Sequence, residues 1–247
     1  MSILAKTEID FFLMRIILGW IFRIGFSLLL GFILLSILLV LVYRFLPPPI
    51  TTLMVIRSSQ QAIADDREIR LKKEWTPLRD ISKDMVRAAI ASEDQNFEVH
   101  NGFDFDAIEK ARAYNKKNKG KRTRGASTIT QQLAKNLFLW PGRTWFRKGA
   151  EAWFTVLVEL VWDKRRIMEV YLNVIEFGDG IYGVQAASNH YFSKDAKNLS
   201  KEQASLLIAC LPSPLKWSPV RPSRFVKWKK NWILRQMSLA GSPSFLE

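Results

Sequence analysis

Two carboxylates, Glu93 and Asp94, stand side by side where an apolar helical run ends in "ASEDQNFEVHNG". His100, one of only two histidines in the chain, follows them. A carboxylate near a helix end is ordinarily a solvated surface group. Acid–base work is the alternative, and the composition narrows its kind. Two histidines and the lone Cys210 cannot build a metal cluster. A Ser-His-Asp triad would lack its G-x-S-x-G elbow, and neither a Walker sequence nor G-x-G-x-x-G is present. Carboxylates and cations remain. They are the equipment of glycosyl transfer and hydrolysis, where a Glu acts as acid or base beside a sugar carbon.

Other stretches fit the same chemistry. In "GASTITQQLAKN", Thr128, Gln131, Gln132 and Lys135 recur three or four apart and so share one helix face. An ordinary polar face would read the same way. In "RKGAE", Arg147 and Glu151 lie one helical turn apart, which a structural ion pair explains equally well. Gly178, Gly180 and Gly183 suit a tight turn between helices.

The elements that must position these residues are mostly helical. Ser82 can cap a helix that carries Met85, Val86, Ala89 and Ile90 on one face and ends at Glu93. Ser127–Leu139 and Thr144–Trp162 read as two more, Asp163 can cap another, and "SKEQ" at Ser200–Gln203 is a capping box. Leu53–Trp75 is mixed and suits a short strand or extended segment. The fold class is mostly α, one domain on a stalk.

Ahead of it, Ile24–Tyr43 is twenty residues without a charge, enough at about 1.5 Å per residue to cross a hydrocarbon layer. Pro47–Pro49 follow and stop the helix. The organisation expected is a short cytoplasmic N-terminus (1–23), a transmembrane helix (24–43), a linker and domain start (44–75), and the main domain (76–247). Lys6, Arg15 and Arg23 before the span put the N-terminus in the cytoplasm and the domain across the membrane.

The net charge of +14 is uneven. Lys110–Arg124 holds eight basic residues in fifteen and no acid, and Pro212–Leu246 holds seven and no acid. Such runs suit anionic headgroups or lipid-linked phosphate beside an anchor, and no nucleic-acid-binding signature accompanies them. Mutual repulsion within Lys110–Arg124 predicts a mobile flap between the stretches that hold Glu93 and Lys135.

Five segments, "EDQNFEVHNG", "GASTITQQLAKN", "RKGAEAWFTVLVE", "KRRIMEVYLNVIEFGDGIYGVQAASNHYF" and "LSKEQASLLIACLPSP", follow the order and spacing of the five motifs of the peptidoglycan glycosyltransferases. The chain resembles that family from Glu93 to Pro219. Too little chain follows the fifth motif for a transpeptidase domain, so the resemblance points to a monofunctional member. Thr155, Val158 and Met168 depart from the usual Ala, Leu and Leu, which bears on packing.

The resemblance implies a lysozyme-like α-helical domain with a small membrane-associated jaw lobe. It implies polymerisation of lipid II into glycan strands, by inverting β-1,4 transfer with release of undecaprenyl pyrophosphate. Glu93 would be the general base and Glu151 the second carboxylate. Substrate-binding positions carried over are Asp94, Thr128, Gln131, Lys135, Asn136, Arg143, Arg147 and Lys148, while His100 would fix the loop. A Mg²⁺ or Mn²⁺ ion would accompany the pyrophosphate, with no ligand set assigned. The place implied is the bacterial inner membrane, with the catalytic domain periplasmic. Partners would be lipid II, the growing strand, membrane lipids, and division or penicillin-binding proteins. A glycan hydrolase or lytic transglycosylase, and an inactive membrane scaffold, are the rival readings.

Overall fold

The computed structural model describes residues 3–64, 69–118, 123–142, 144–239 and 241–246, with side chains from Met14 onward. Two compact units divide the chain, Met1–Phe45 and Leu46–Glu247. The first is one helix, α1 (Ile3–Phe45), which from Met14 to Phe45 is long and apolar enough to cross a membrane.

The second unit begins with α2 (Thr52–Ile63), started by the Thr51 hydroxyl, which accepts from the Met54 amide. A helix therefore occupies about half of the Leu53–Trp75 segment, and the short strand expected there is β1 (Lys72–Lys73). Next come α3 (Lys83–Glu93), α4 (Phe105–Lys117), α5 (Ile129–Phe138), α6 (Trp145–Val161) and α7 (Lys164–Val174). Then β2 (Glu176–Gly178) and β3 (Ile181–Tyr182) lead to α8 (Val184–Phe192), α9 (Lys201–Cys210) and α10 (Arg224–Leu239).

Caps set most of these starts. Thr144 accepts from the Arg147 amide and Asp163 from the Arg166 amide. Thr128 and Ser200 form full capping boxes with Gln131 and Gln203. Ser82 precedes α3 as expected, but its hydroxyl donates to the Leu199 carbonyl instead of capping. That bond ties the start of the Glu93 helix to the segment before α9.

The basic run departs from expectation. Phe105–Lys117 is helical, so Lys110, Arg112, Lys116 and Lys117 belong to α4 and not to a flap; residues 119–122 lie outside the described residues. Three local features outweigh the repulsion. Asp104 caps the helix by accepting from the Ala107 amide, three alanines favour it, and Lys116 and Lys117 stand at the negative end of its dipole.

In the main unit α9 packs on α3 and α10, and α5 on α6 and α7. Met85, Phe97, Ile129, Leu133, Ile167, Met168, Leu172 and Leu207 fill the space between them. Thr155, Val158 and Met168 are all fully buried, so the three departures are indeed core positions. The glycine-rich turn closes a three-stranded sheet of order β1-β3-β2, with β1 parallel and β2 antiparallel to β3. Gly180 (φ +69°) makes the closure possible: a Cβ there would lie 2.2 Å from the Arg70 carbonyl oxygen, while the Lys72 amide donates to the Gly180 carbonyl at 2.7 Å.

Candidate active site

Glu93 ends α3 with its side chain 14% exposed. One carboxylate oxygen, Oε1, accepts from the Ser92 hydroxyl at 2.7 Å and faces the Lys229 ammonium of α10 at 3.5 Å. The other, Oε2, accepts from the Gln132 amide nitrogen of α5 at 3.1 Å. The Gln132 oxygen in turn accepts from the Tyr171 hydroxyl of α7 at 3.2 Å. Burial, and then the charges of Glu93 and Asp94, push the Tyr171 hydroxyl well above its ordinary pKa, so it stays a donor. A reversed Gln132 amide would set its oxygen against the Glu93 carboxylate. The chain Tyr171–Gln132–Glu93 thus has one sense, and four helices aim one carboxylate.

Asp94 does different work. It is buried, its Oδ1 accepting from His100 Nε2 at 2.8 Å and its Oδ2 from the Ile129 amide at 2.9 Å. His100 Nδ1 accepts from the Gly102 amide at 3.1 Å, which fixes its tautomer, and Lys164 donates to the His100 carbonyl. The Thr128 hydroxyl donates to the Gly102 carbonyl at 2.7 Å. Asp94 and His100 together pin the loop after Glu93 to the start of α5, the role expected of His100. Thr128 and Gln131 are buried and spend their polar groups on the capping box.

Two cavities flank Gln132. One, of 650 Å³, is lined by Glu93, Asn96, Asp104, Lys110, Thr128 and Arg124, with Lys229, Trp232 and Gln236 of α10 opposite. The other, of 400 Å³, is lined by Lys135, Asn136, Arg57, Glu176, Ser213 and Lys216. Gln132 and Pro212 line both. Arg57 pairs with Glu176 at 3.4 Å. The Lys135 ammonium has no hydrogen-bond or ion-pair partner among the described residues, and burial pulls its pKa below the ordinary lysine value. A half-buried cation left without a partner is costly unless an anion reaches it.

Glu151 is 3% exposed and lines neither cavity. Its Oε2 accepts from Arg147 at 2.7 Å and its Oε1 from Lys148. The ion-pair reading of "RKGAE" is therefore present in the fold, with a second cation added. Arg143 lies outside the described residues.

The carboxylates of the site do not fit a metal cage. Glu151 has both oxygens on cations, Glu93 has both on donors, and no group of three His, Cys, Asp or Glu among the described residues could hold an ion.

Gln132, on the polar face of α5, was legible as a candidate from its spacing with Lys135. Tyr171 reads as a core residue, and nothing in the basic run around Lys229 singles that lysine out.

A family model described as "Transglycosylase" matches residues 60–238. A "Biosynthetic peptidoglycan transglycosylase" of Pseudomonas putida strain GB-1 is 55% identical over 218 residues, 88% of this chain and 91% of its own length. Proteins of the same description from Stutzerimonas stutzeri strain A1501 and Bdellovibrio bacteriovorus strain HD100 are 51% and 54% identical. These alignments cover 90% and 81% of this chain, and 90% and 79% of the relatives. With the motifs in order, the helices in place and a held glutamate beside the larger cavity, the chain belongs to the transglycosylase family, whose domain is lysozyme-like.

Proposed function

We propose that this protein polymerises lipid II into peptidoglycan glycan strands, by inverting β-1,4 glycosyl transfer with release of undecaprenyl pyrophosphate. One observation carries the reading: a glutamate held as an acceptor beside a cavity of 650 Å³, next to a lysine that has no partner among the described residues in an adjoining cavity. The 4-hydroxyl of an incoming lipid II gives its proton to Glu93 as its oxygen attacks the anomeric carbon of the growing strand. The bond from that carbon to the pyrophosphate oxygen breaks, and the electron pair leaves with the pyrophosphate. Lys135, with Arg143 just after the same motif, meets the charge that develops there.

Asn136 lines the cavity that holds Lys135 and contacts the donor's phosphate end. Glu151 acts through the cations it holds: it fixes Arg147 and Lys148 as part of the positive field around the leaving group. Asp94, Thr128 and Gln131 serve the site by holding its backbone. A divalent cation enters this reading only as a companion of the substrate's pyrophosphate, and no step is derived through it.

The same geometry weighs against a hydrolase. An acid that protonates an alkoxide must keep its own proton, which an apolar pocket achieves. Glu93 lies instead among hydroxyl, amide and ammonium donors, with both of its oxygens accepting.

Helix α1 serves as a single-pass anchor in the bacterial cytoplasmic membrane, with the Lys6, Arg15 and Arg23 end inside and the main unit outside. The exposed Trp145, Phe146 and Leu160 of α6 give the jaw lobe its membrane contact, and division or penicillin-binding proteins would meet the chain in that plane.

The test is turnover of labelled lipid II by the full chain and by Glu93→Gln. The wild type is expected to make polymer, and Glu93→Gln to lose about 10²–10⁴-fold in rate while melting normally. Near-normal polymerisation by Glu93→Gln removes the base from this position, and shortening of preformed glycan by the wild type would make the enzyme a hydrolase.

A further inference from the structure

Beyond the fifth motif, α10 carries Lys229 to the edge of the Glu93 carboxylate, 136 residues away in sequence. Its placement is fixed. Val226, Ile233 and Met237 bury one face of α10, Arg87 of α3 donates to the Met237 carbonyl at 2.8 Å, and Gln95 donates to Gln236 at 3.2 Å. Lys229 stands three residues from Val226 and four from Ile233, beside that buried face, and its side chain is 15% exposed.

We propose that Lys229 is a positioning residue that keeps the Glu93 carboxylate aimed for proton abstraction; this rests on Glu93 being the base. Of the groups in hydrogen-bonding contact with Glu93, Ser92 and Gln132 are neutral and orient it, and Lys229 supplies charge. The 3.5 Å separation suits a base. A contact of this length orients the carboxylate and still releases it when the proton arrives. Other charged groups bear on the same carboxylate: Asp94 beside it, Lys135 on α5 and the Tyr171 hydroxyl on α7. Asp104, Lys110 and Arg124 line the cavity. Arg147, Lys148 and Glu151 of α6 couple to Lys135. Lys229 is the cation in contact.

The experiment measures kcat and KM of lipid II polymerisation against pH for the full chain and for Lys229→Met, Lys229→Gln and Lys229→Arg, with Glu93→Gln alongside. Losing the charge is expected to lower kcat about tenfold or more at every pH, because a base no longer held in line costs rate. KM should change little, and Lys229→Arg should restore most of kcat. An unchanged kcat overturns the proposal, and a raised KM alone makes Lys229 a substrate contact instead. Lys229→Met keeps the apolar stem, so failure of that variant to fold would make Lys229 a residue of the fold and also overturn it. If Glu93→Gln is active, the base assignment falls first. If Glu93→Gln is dead and kcat of the Lys229 variants unchanged, only the inference about Lys229 falls.

Discussion

At the scale of single residues, the site mixes satisfied and unsatisfied groups. Asp94, Glu151 and Thr128 have spent their polar atoms on the fold, while the Lys135 ammonium has not. A lysine held half-buried without a partner opposes folding, because burial disfavours its charged form. Lys135→Met should therefore stabilise the protein by about 1 kcal/mol, a Tm rise of about 2–4 °C, while turnover collapses. The sign with pH follows from linkage. The folded-state pKa of Lys135 is depressed, so between it and the ordinary lysine pKa the unfolded state holds more of the proton. The wild type gains stability as pH rises through that value towards the ordinary lysine pKa. The advantage of Lys135→Met should be full near neutrality and shrink in alkali. Thermal melts at several pH values, read beside lipid II turnover, check both halves; a variant that melts lower and is inactive would make Lys135 structural.

At the scale of elements, capping boxes place the helices that carry the chemistry. Thr128 starts α5, which brings both Gln132 and Lys135 to the cavities, and it also holds the loop after Glu93 through Gly102. Ser200 starts α9 at the surface, away from Glu93. Replacing either cap with alanine should cost about 1 kcal/mol, with Thr128→Ala the worse because a buried carbonyl loses its donor. The two should differ more in function. Ser200→Ala should polymerise lipid II at the wild-type rate below its melting range, and Thr128→Ala should be slowed there, because α5 and the loop lose one of their ties. Equal rates for the two variants would mean that the capping box serves stability alone.

At the scale of the whole molecule, α1 and the unit from Leu46 onward are separate compact bodies. Caps, core and both cavities belong to the second. A chain starting at Leu46 should accordingly melt cooperatively, with a Tm within a few degrees of the full protein measured in the same detergent. It should also keep its turnover of detergent-dispersed lipid II. Loss of cooperative melting would show that the anchor takes part in folding the main unit. The exposed apolar side chains of α6 remain after this cut, so detergent is still required.

Sequence alone determined what is written within a turn or two of the chain. The cap residues of α7 and α9, the apolar faces of α3 and α5, the uncharged span and the order of five motifs are local patterns, legible because helical contacts recur every three or four residues. Opposing local forces were not weighed correctly: repulsion in the basic run lost to capping and alanine in α4, and helix α2 was not read in the mixed segment that also holds β1. The candidate site was legible in half. Glu93, Lys135 and Asn136 could be named and do line the cavities, but spacing could not say that Gln131 would turn inward to a cap while its neighbour Gln132 turned to Glu93. Nor could it join Glu93 to Tyr171 or to Lys229, in helices far along the chain. Those partnerships exist only once α3, α5, α7 and α10 pack together, because a hydrogen bond or ion pair depends on separation in space, which packing creates and sequence distance does not record.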